Sequence, residues 1–154
     1  MENNKVIQIA SSKGWGEAKM KKNKVFVYGT LRKGEGNHHY LKEAEQIEKR
    51  AWVYGKLYDT GYGYPGLIPD PRCKVFGEIF LIDDEEFKKL DLLEDYKEGA
   101  ADNLYTRMIY QVHGEKEGHH AWVYIYEQKV NENMLIESGD WVLYRWQMKN
   151  SSEE

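Results

Sequence analysis

The stretch N23-K-V-F-V-Y-G-T-L-R-K-G-E-G-N-H-H-Y-L41 opens apolar and then breaks into glycines, charges and two histidines. Val25, Phe26, Val27 and Tyr28 form a short run without a polar alternation, the pattern of a strand buried on both faces. A plain hairpin needs only a turn after such a strand. Here the strand ends on Tyr28-Gly29-Thr30-Leu31, and Gly34 and Gly36 keep the following loop open. That break can turn backbone N–H groups toward an anionic group such as a carboxylate; an ordinary turn is the alternative. Asn37 stands where it would cap a short helix carrying Tyr40, Leu41 and Ala44.

Downstream of this strand, "AWVYGKLYD" reads as a strand, and "GYGYPGLIPDPR" (61–72) gathers three glycines and all three prolines of the chain into a loop long enough to suggest a function. "CKVFGEIFLI" reads as a central strand. "DDEEFKKLDLLED" is the clearest helix. Asp83 and Glu86 have capping-box spacing, and the acidic first turn suits the helix dipole. "LYTRMIYQVH" and "HAWVYIYE" are strands around a hairpin at "GEKEGH". "IESGDWVLYRW" reads as a turn and a last edge element. Strands outnumber helices and are joined mostly by short turns. The expected fold is α+β, a small curled sheet that is mainly antiparallel.

Toward the N-terminus, residues 1–22 differ from the rest. They are polar and without clear period, apart from one possible short strand at "KVIQIA". "MKKNKVFVYGT" begins afresh at Met20 in the manner of a natural start. The expected organisation is an extension at 1–22, one domain at 23–148 and a polar tail at 149–154.

The composition narrows the function. Of the residues, 41% are hydrophobic and 14% aromatic, which favours a packed domain over a disordered chain. Lys and Arg total 22 against 26 Asp and Glu, a net charge of −4. That balance argues against nucleic-acid binding, since phosphate backbones call for basic patches. The single cysteine, Cys73, rules out an intrachain disulfide and a cysteine-based metal site. A reducing, cytoplasmic location fits best. No apolar run approaches the ~20 residues of a membrane span, and the N-terminus lacks the apolar core of a signal peptide.

The helix carries an anomaly. Phe87, Leu90 and Glu94 stand at i, i+3 and i+7 and share one face. A carboxyl on that face loses water, which raises its pKa and suits proton transfer near neutral pH. Spacing alone favours the plainer reading, in which a Glu near the helix end reaches solvent. Asp91 is the other carboxylate near that stripe. His38-His39 and His119-His120 make poor chelates, because adjacent side chains diverge on strand or helix. Solvated loops are the expectation for both pairs, with His38 able to bond its own loop. No HExxH motif or acidic cluster completes a metal site. Thr30 as a nucleophile would need a base and an orienting group nearby, and no GxSxG elbow is present. Tyr105 and Arg107 share a strand face and read as pocket groups or as an anchor for a carboxylate.

Taken in order, "VYGTLRKGEGNHHYL", "YPGL", "VFGEIFLI", "LDLLEDY", "YTR", "AWVYIY" and "ESGDW" resemble the gamma-glutamylcyclotransferase-like (AIG2-like) family over about residues 24–146. The branch that includes gamma-glutamylamine cyclotransferases is the most similar. The resemblance implies a small mixed β-barrel with peripheral helices and no cofactor or metal. It implies a small-molecule gamma-glutamyl substrate, with Tyr28, Gly29, Thr30 and Leu31 binding the glutamyl group, chiefly through backbone amides. It also implies Glu94 as catalytic acid/base and Tyr105 near the pocket. Members of this family often carry Gly after the catalytic Glu; here the residue is Asp95. The expected reaction is cyclisation of a gamma-glutamyl amine or amino acid to 5-oxoproline with release of the amine. A non-catalytic small-molecule-binding domain on the same barrel is the alternative.

Overall fold

The computed structural model describes residues 21–152, so the strand expected at "KVIQIA" lies outside the described residues. Seven strands and two α-helices form the domain. They are β1 (Lys22–Val27), β2 (Glu45–Tyr54), β3 (Lys56–Asp59), β4 (Pro65–Ile68), β5 (Lys74–Asp83), α1 (Asp84–Leu93), β6 (Tyr105–His113), β7 (Gly118–Tyr126) and α2 (Trp141–Ser152). Five strands close a barrel in the order β1-β5-β2-β6-β7, and β3 and β4 form a separate two-stranded sheet. The β1–β7 pairing is parallel and the other barrel pairings are antiparallel. This is the mixed, mainly antiparallel barrel with peripheral helices that the family resemblance implies.

Closure explains the apolar run of β1. Val25, Phe26 and Val27 are all buried, as is Tyr28 just beyond. Phe26 points into the barrel with Val53, Val75, Ile79 and Val123. Val25 and Val27 face outward into a second core with Phe80, Ile82, Phe87 and Leu90, between the barrel and α1. A strand covered on both sides needs no polar alternation.

Helix α1 starts as its sequence predicts. Asp83 Oδ1 accepts from Glu86 N–H, and Glu86 Oε1 accepts from Asp83 N–H, both at 2.8 Å. Its end decides the placement of Glu94. Asp95 N–H donates to Leu92 O and Tyr96 N–H to Asp91 O. This is a Schellman closure, whose turning residue adopts left-handed backbone and is usually Gly. Asp95 takes that position at φ 57°, the one positive φ of a non-glycine residue among those described.

Four local expectations change. The expected edge element near the C-terminus is helix α2. Asp140 accepts from Leu143 N–H at 3.1 Å and starts it, and Trp141 and Tyr144, at i and i+3, pack onto the core. Asn37 does not cap a helix with its side chain; it precedes a 3₁₀ turn, His38–Leu41, and donates instead to Thr30 Oγ1 at 3.0 Å. The loop 61–72 holds a strand, β4. The expected strand "AWVYGKLYD" is two strands broken at Gly55.

Candidate active site

Two loops and the end of α1 meet at the end of β1. The first loop, residues 28–32, is stiffened by its own carbonyls. Gly29 O accepts from Arg32 N–H at 3.0 Å and Thr30 O from Asn37 N–H at 2.9 Å. Leu31 O lies 3.0 Å from His38 Nδ1, so His38 does bond its own loop. None of the described residues accepts from the N–H groups of Gly29, Thr30 or Leu31. With its acceptors turned inward, this loop presents donors. Arg32 fastens its far side. The guanidinium donates to Glu78 at 3.0 Å and to Asp140 at 2.8 Å, tying the loop to β5 and to the start of α2.

The second loop brings Tyr64 and Pro65 against the first. A Cβ on Gly29 would come within 2.7 Å of the Pro65 ring, so only glycine lets the two loops close this tightly. Tyr105 Oη donates to Pro65 O at 2.6 Å, and Tyr28 Oη donates to Tyr124 O at 2.7 Å. Both tyrosines line the site, and both hydroxyls are committed to holding its walls.

Glu94 completes the group. It faces a narrow cavity of about 30 Å³ whose walls include Tyr28, Gly29, Thr30, Leu31 and Tyr105, the residues singled out in the sequence. A wider cavity of about 330 Å³ shares Thr30, Tyr64, Glu94 and Tyr105 with it and opens outward past Tyr62 and Leu104. Glu94 is half-buried. Burial, and next the neighbouring Asp91 carboxylate, push its carboxyl up to about 7.

Asp91 itself is occupied. It accepts from Arg107 Nε at 2.8 Å, Arg107 Nη2 at 3.1 Å and Tyr124 Oη at 2.7 Å. Arg107 in turn lies 3.8 Å from the centre of the Phe87 ring and 4.5 Å from that of Trp122. Of the two readings of Arg107, the carboxylate anchor is the one observed, and it fixes the end of α1 against β6. Asn103 closes the loop beyond Glu94, accepting from Lys97 N–H at 2.8 Å and donating to Lys97 O at 3.0 Å.

Sequence reasoning missed Tyr64, Asn103 and the anchoring role of Arg32. Tyr64 lay within a loop whose length already suggested a function, but no local spacing singled it out. The partners of Arg32 are distant in sequence. Of the histidine pairs, His38 braces the site loop through Leu31 O, and neither pair lines the two cavities. His119 is not in a solvated loop: it is buried on β7, 2.8 Å from Glu48 and 3.1 Å from Lys24 Nζ.

A family model described as gamma-glutamyl cyclotransferase, AIG2-like, matches residues 25–143. The chain belongs to this family. It is 40% identical over 131 residues to the gamma-L-glutamyl-butirosin B gamma-glutamyl cyclotransferase of Niallia circulans, a match that covers 84% of this chain and 82% of that protein. Among solved structures, YkqA from Bacillus subtilis superposes with a TM-score of 0.69 at 26% identity, over 84% of this chain and 43% of that one. An AIG2-like protein from Mus musculus superposes with a TM-score of 0.64 at 22% identity, over 78% and 88% of the two chains, and so shares the fold.

Proposed function

We propose that the chain cyclises a gamma-glutamyl amine to 5-oxoproline and frees the amine, with Glu94 as the general acid/base. One observation carries this reading. The family's barrel presents a carboxyl raised to about 7 at a cleft that is also lined by the backbone donors of residues 29–31.

The reaction needs little beyond positioning and proton transfer. The substrate's α-amino group arrives as an ammonium and is no nucleophile. Glu94, ionised, takes one proton. The free amine attacks the substrate's own γ-carbonyl carbon, closing a five-membered ring. The attacking nitrogen then sheds a second proton and the γ-C–N bond breaks. Glu94 delivers a proton to the departing nitrogen, and with both shed protons the amine leaves as an ammonium. A carboxyl near pH 7 is suited to both halves of this cycle. Holding the glutamyl chain folded for attack offsets roughly 7–11 kcal/mol of the barrier. The N–H groups of Gly29, Thr30 and Leu31 serve the substrate carboxylate or the developing oxyanion. The tyrosine hydroxyls, bonded to backbone carbonyls, act in shaping the cleft.

The Niallia circulans relative is named a gamma-glutamyl cyclotransferase of gamma-L-glutamyl-butirosin B, which supports a gamma-glutamyl substrate here too. A binding domain on the same barrel would have no use for a proton carrier tuned to neutrality. The test is to incubate the chain with a panel of gamma-glutamyl amines, isopeptides and dipeptides and follow 5-oxoproline by mass spectrometry. Release matched mole for mole by free amine is expected. Saturable binding without release would return the chain to the binding reading.

A further inference from the structure

The wider cavity outside Glu94 has a composition of its own. Glu94 is the one charged residue in its wall, and no lysine or arginine lines it. Its outer side is built by Tyr62 and Tyr64, whose rings stack at 6.2 Å and 28°. Tyr62 is 75% exposed, an unusual setting for a large ring. Its display is nonetheless held. Gly61 and Gly63, at φ 87° and 92°, turn the chain on either side of it. Asp59 Oδ1 accepts from Gly61 N–H at 2.8 Å, and Thr60 Oγ1 donates to Tyr64 O at 2.6 Å. Glu94 shares the cavity wall with both rings, so one carboxyl stands on the platform's inner side.

From this arrangement we infer that Tyr62 is a specificity-determining residue: with Tyr64 it forms an aromatic platform that selects a leaving amine carrying a second ammonium group. The inference rests on the cyclisation proposed above, which seats the glutamyl end at the narrow cavity and directs the leaving group outward past Tyr62. A cation over a ring face is worth about 0.5–2 kcal/mol depending on desolvation. The Glu94 carboxylate adds attraction of the same sign. An uncharged alkyl group gains neither.

Binding can be read apart from turnover. Glutaryl amides lack the α-amino nucleophile and cannot cyclise. The experiment measures calorimetric dissociation constants for the glutaryl monoamides of 1,4-diaminobutane and of pentylamine, its uncharged isostere. The native chain, Tyr62→Phe and Tyr62→Ala are compared. The platform predicts that the native chain binds the diamine derivative about 5–10-fold more tightly than the pentyl derivative, the equivalent of roughly 1–1.4 kcal/mol. Tyr62→Phe keeps the ring and the preference, whereas Tyr62→Ala lowers it to about twofold or less. Equal affinity for the two ligands in the native chain, or an undiminished preference in Tyr62→Ala, overturns the inference. Turnover of the matching gamma-glutamyl amides, assayed in parallel as 5-oxoproline, tests the reaction separately. Absent turnover with the binding preference intact would count against the reaction and leave the platform standing.

Discussion

Glu94 is the C-cap of its helix, just past Leu93, and two opposed demands meet there. Its position after Phe87 and Leu90 draws it toward the core, while the end of the helix leaves it an opening to the cleft. Periodicity marked the residue, and spacing alone favoured a surface carboxylate. Burial beside Asp91 was not legible, because it depends on how the helix docks on β6. A carboxyl that ionises near 7 makes two pH predictions. Activity that needs the ionised form should rise with pH through about 7 and then level, as read from kcat/KM. Stability should move the other way. Between the usual carboxyl range and 7 the unfolded chain has lost this proton and the folded chain still holds it, so stability falls as pH rises through that window. Glu94→Gln removes the effect. By denaturant unfolding it should be more stable than the native chain by about 1–3 kcal/mol at pH 8, with the gap closing near pH 4. Asp95 offers a second test at this scale. Its left-handed backbone favours glycine, and the conformation that puts an aspartate under strain here was not visible in the sequence. Asp95→Gly should stabilise by up to about 1 kcal/mol in the same assay.

Among the elements, those with strong local signals were legible. The capping box set the start of α1, and alternation with a turn set the β6–β7 hairpin. Helix α2 was not read as a helix, because Trp141, Val142 and Tyr144 carry strand propensity, and the burial of Trp141 comes from tertiary packing. The orientation of α1 was likewise invisible, since it rests on Arg107 reaching Asp91 from β6. Arg107→Gln should cost about 3–5 kcal/mol by leaving a half-buried carboxylate short of its partner. Asp91→Asn on that background should recover part of the loss, and the coupling in a double-mutant cycle should exceed 0.5 kcal/mol. Additive costs would separate the pair from the docking of α1.

The whole barrel has two ends of different chemistry. The cleft lies at the C-terminal end of β1. Toward the other end Lys24, His119 and Glu48 form a chain that shares the interior face with Phe26, Ala121 and Ile79. A lysine ammonium can only donate, so His119 Nδ1 accepts from it and Nε2–H donates to Glu48. That bond is the leading cause holding the Glu48 carboxyl below its usual range. A depressed carboxyl stabilises the fold above its unfolded pKa, and the contribution is lost as pH falls through the folded value. Glu48→Gln should therefore flatten the acid limb of stability below about pH 5 and lower stability at pH 7 by about 1–2 kcal/mol. The histidine doublet in the sequence drew notice as a metal guess, yet its role as part of an internal polar chain required the barrel to close. The fold itself was legible, because the ordered set of motifs spans nearly the whole domain. The distances that turn those motifs into a site were not.

The central claim is that Glu94 carries the protons of a cyclisation. The most direct measurement is 5-oxoproline release from one gamma-glutamyl amine turned over by the native chain, with Glu94→Gln assayed alongside and its fold checked by circular dichroism. The account predicts a loss of about 10²–10⁴-fold in the variant, the range associated with a general acid/base. Release by folded Glu94→Gln at the native rate would contradict it.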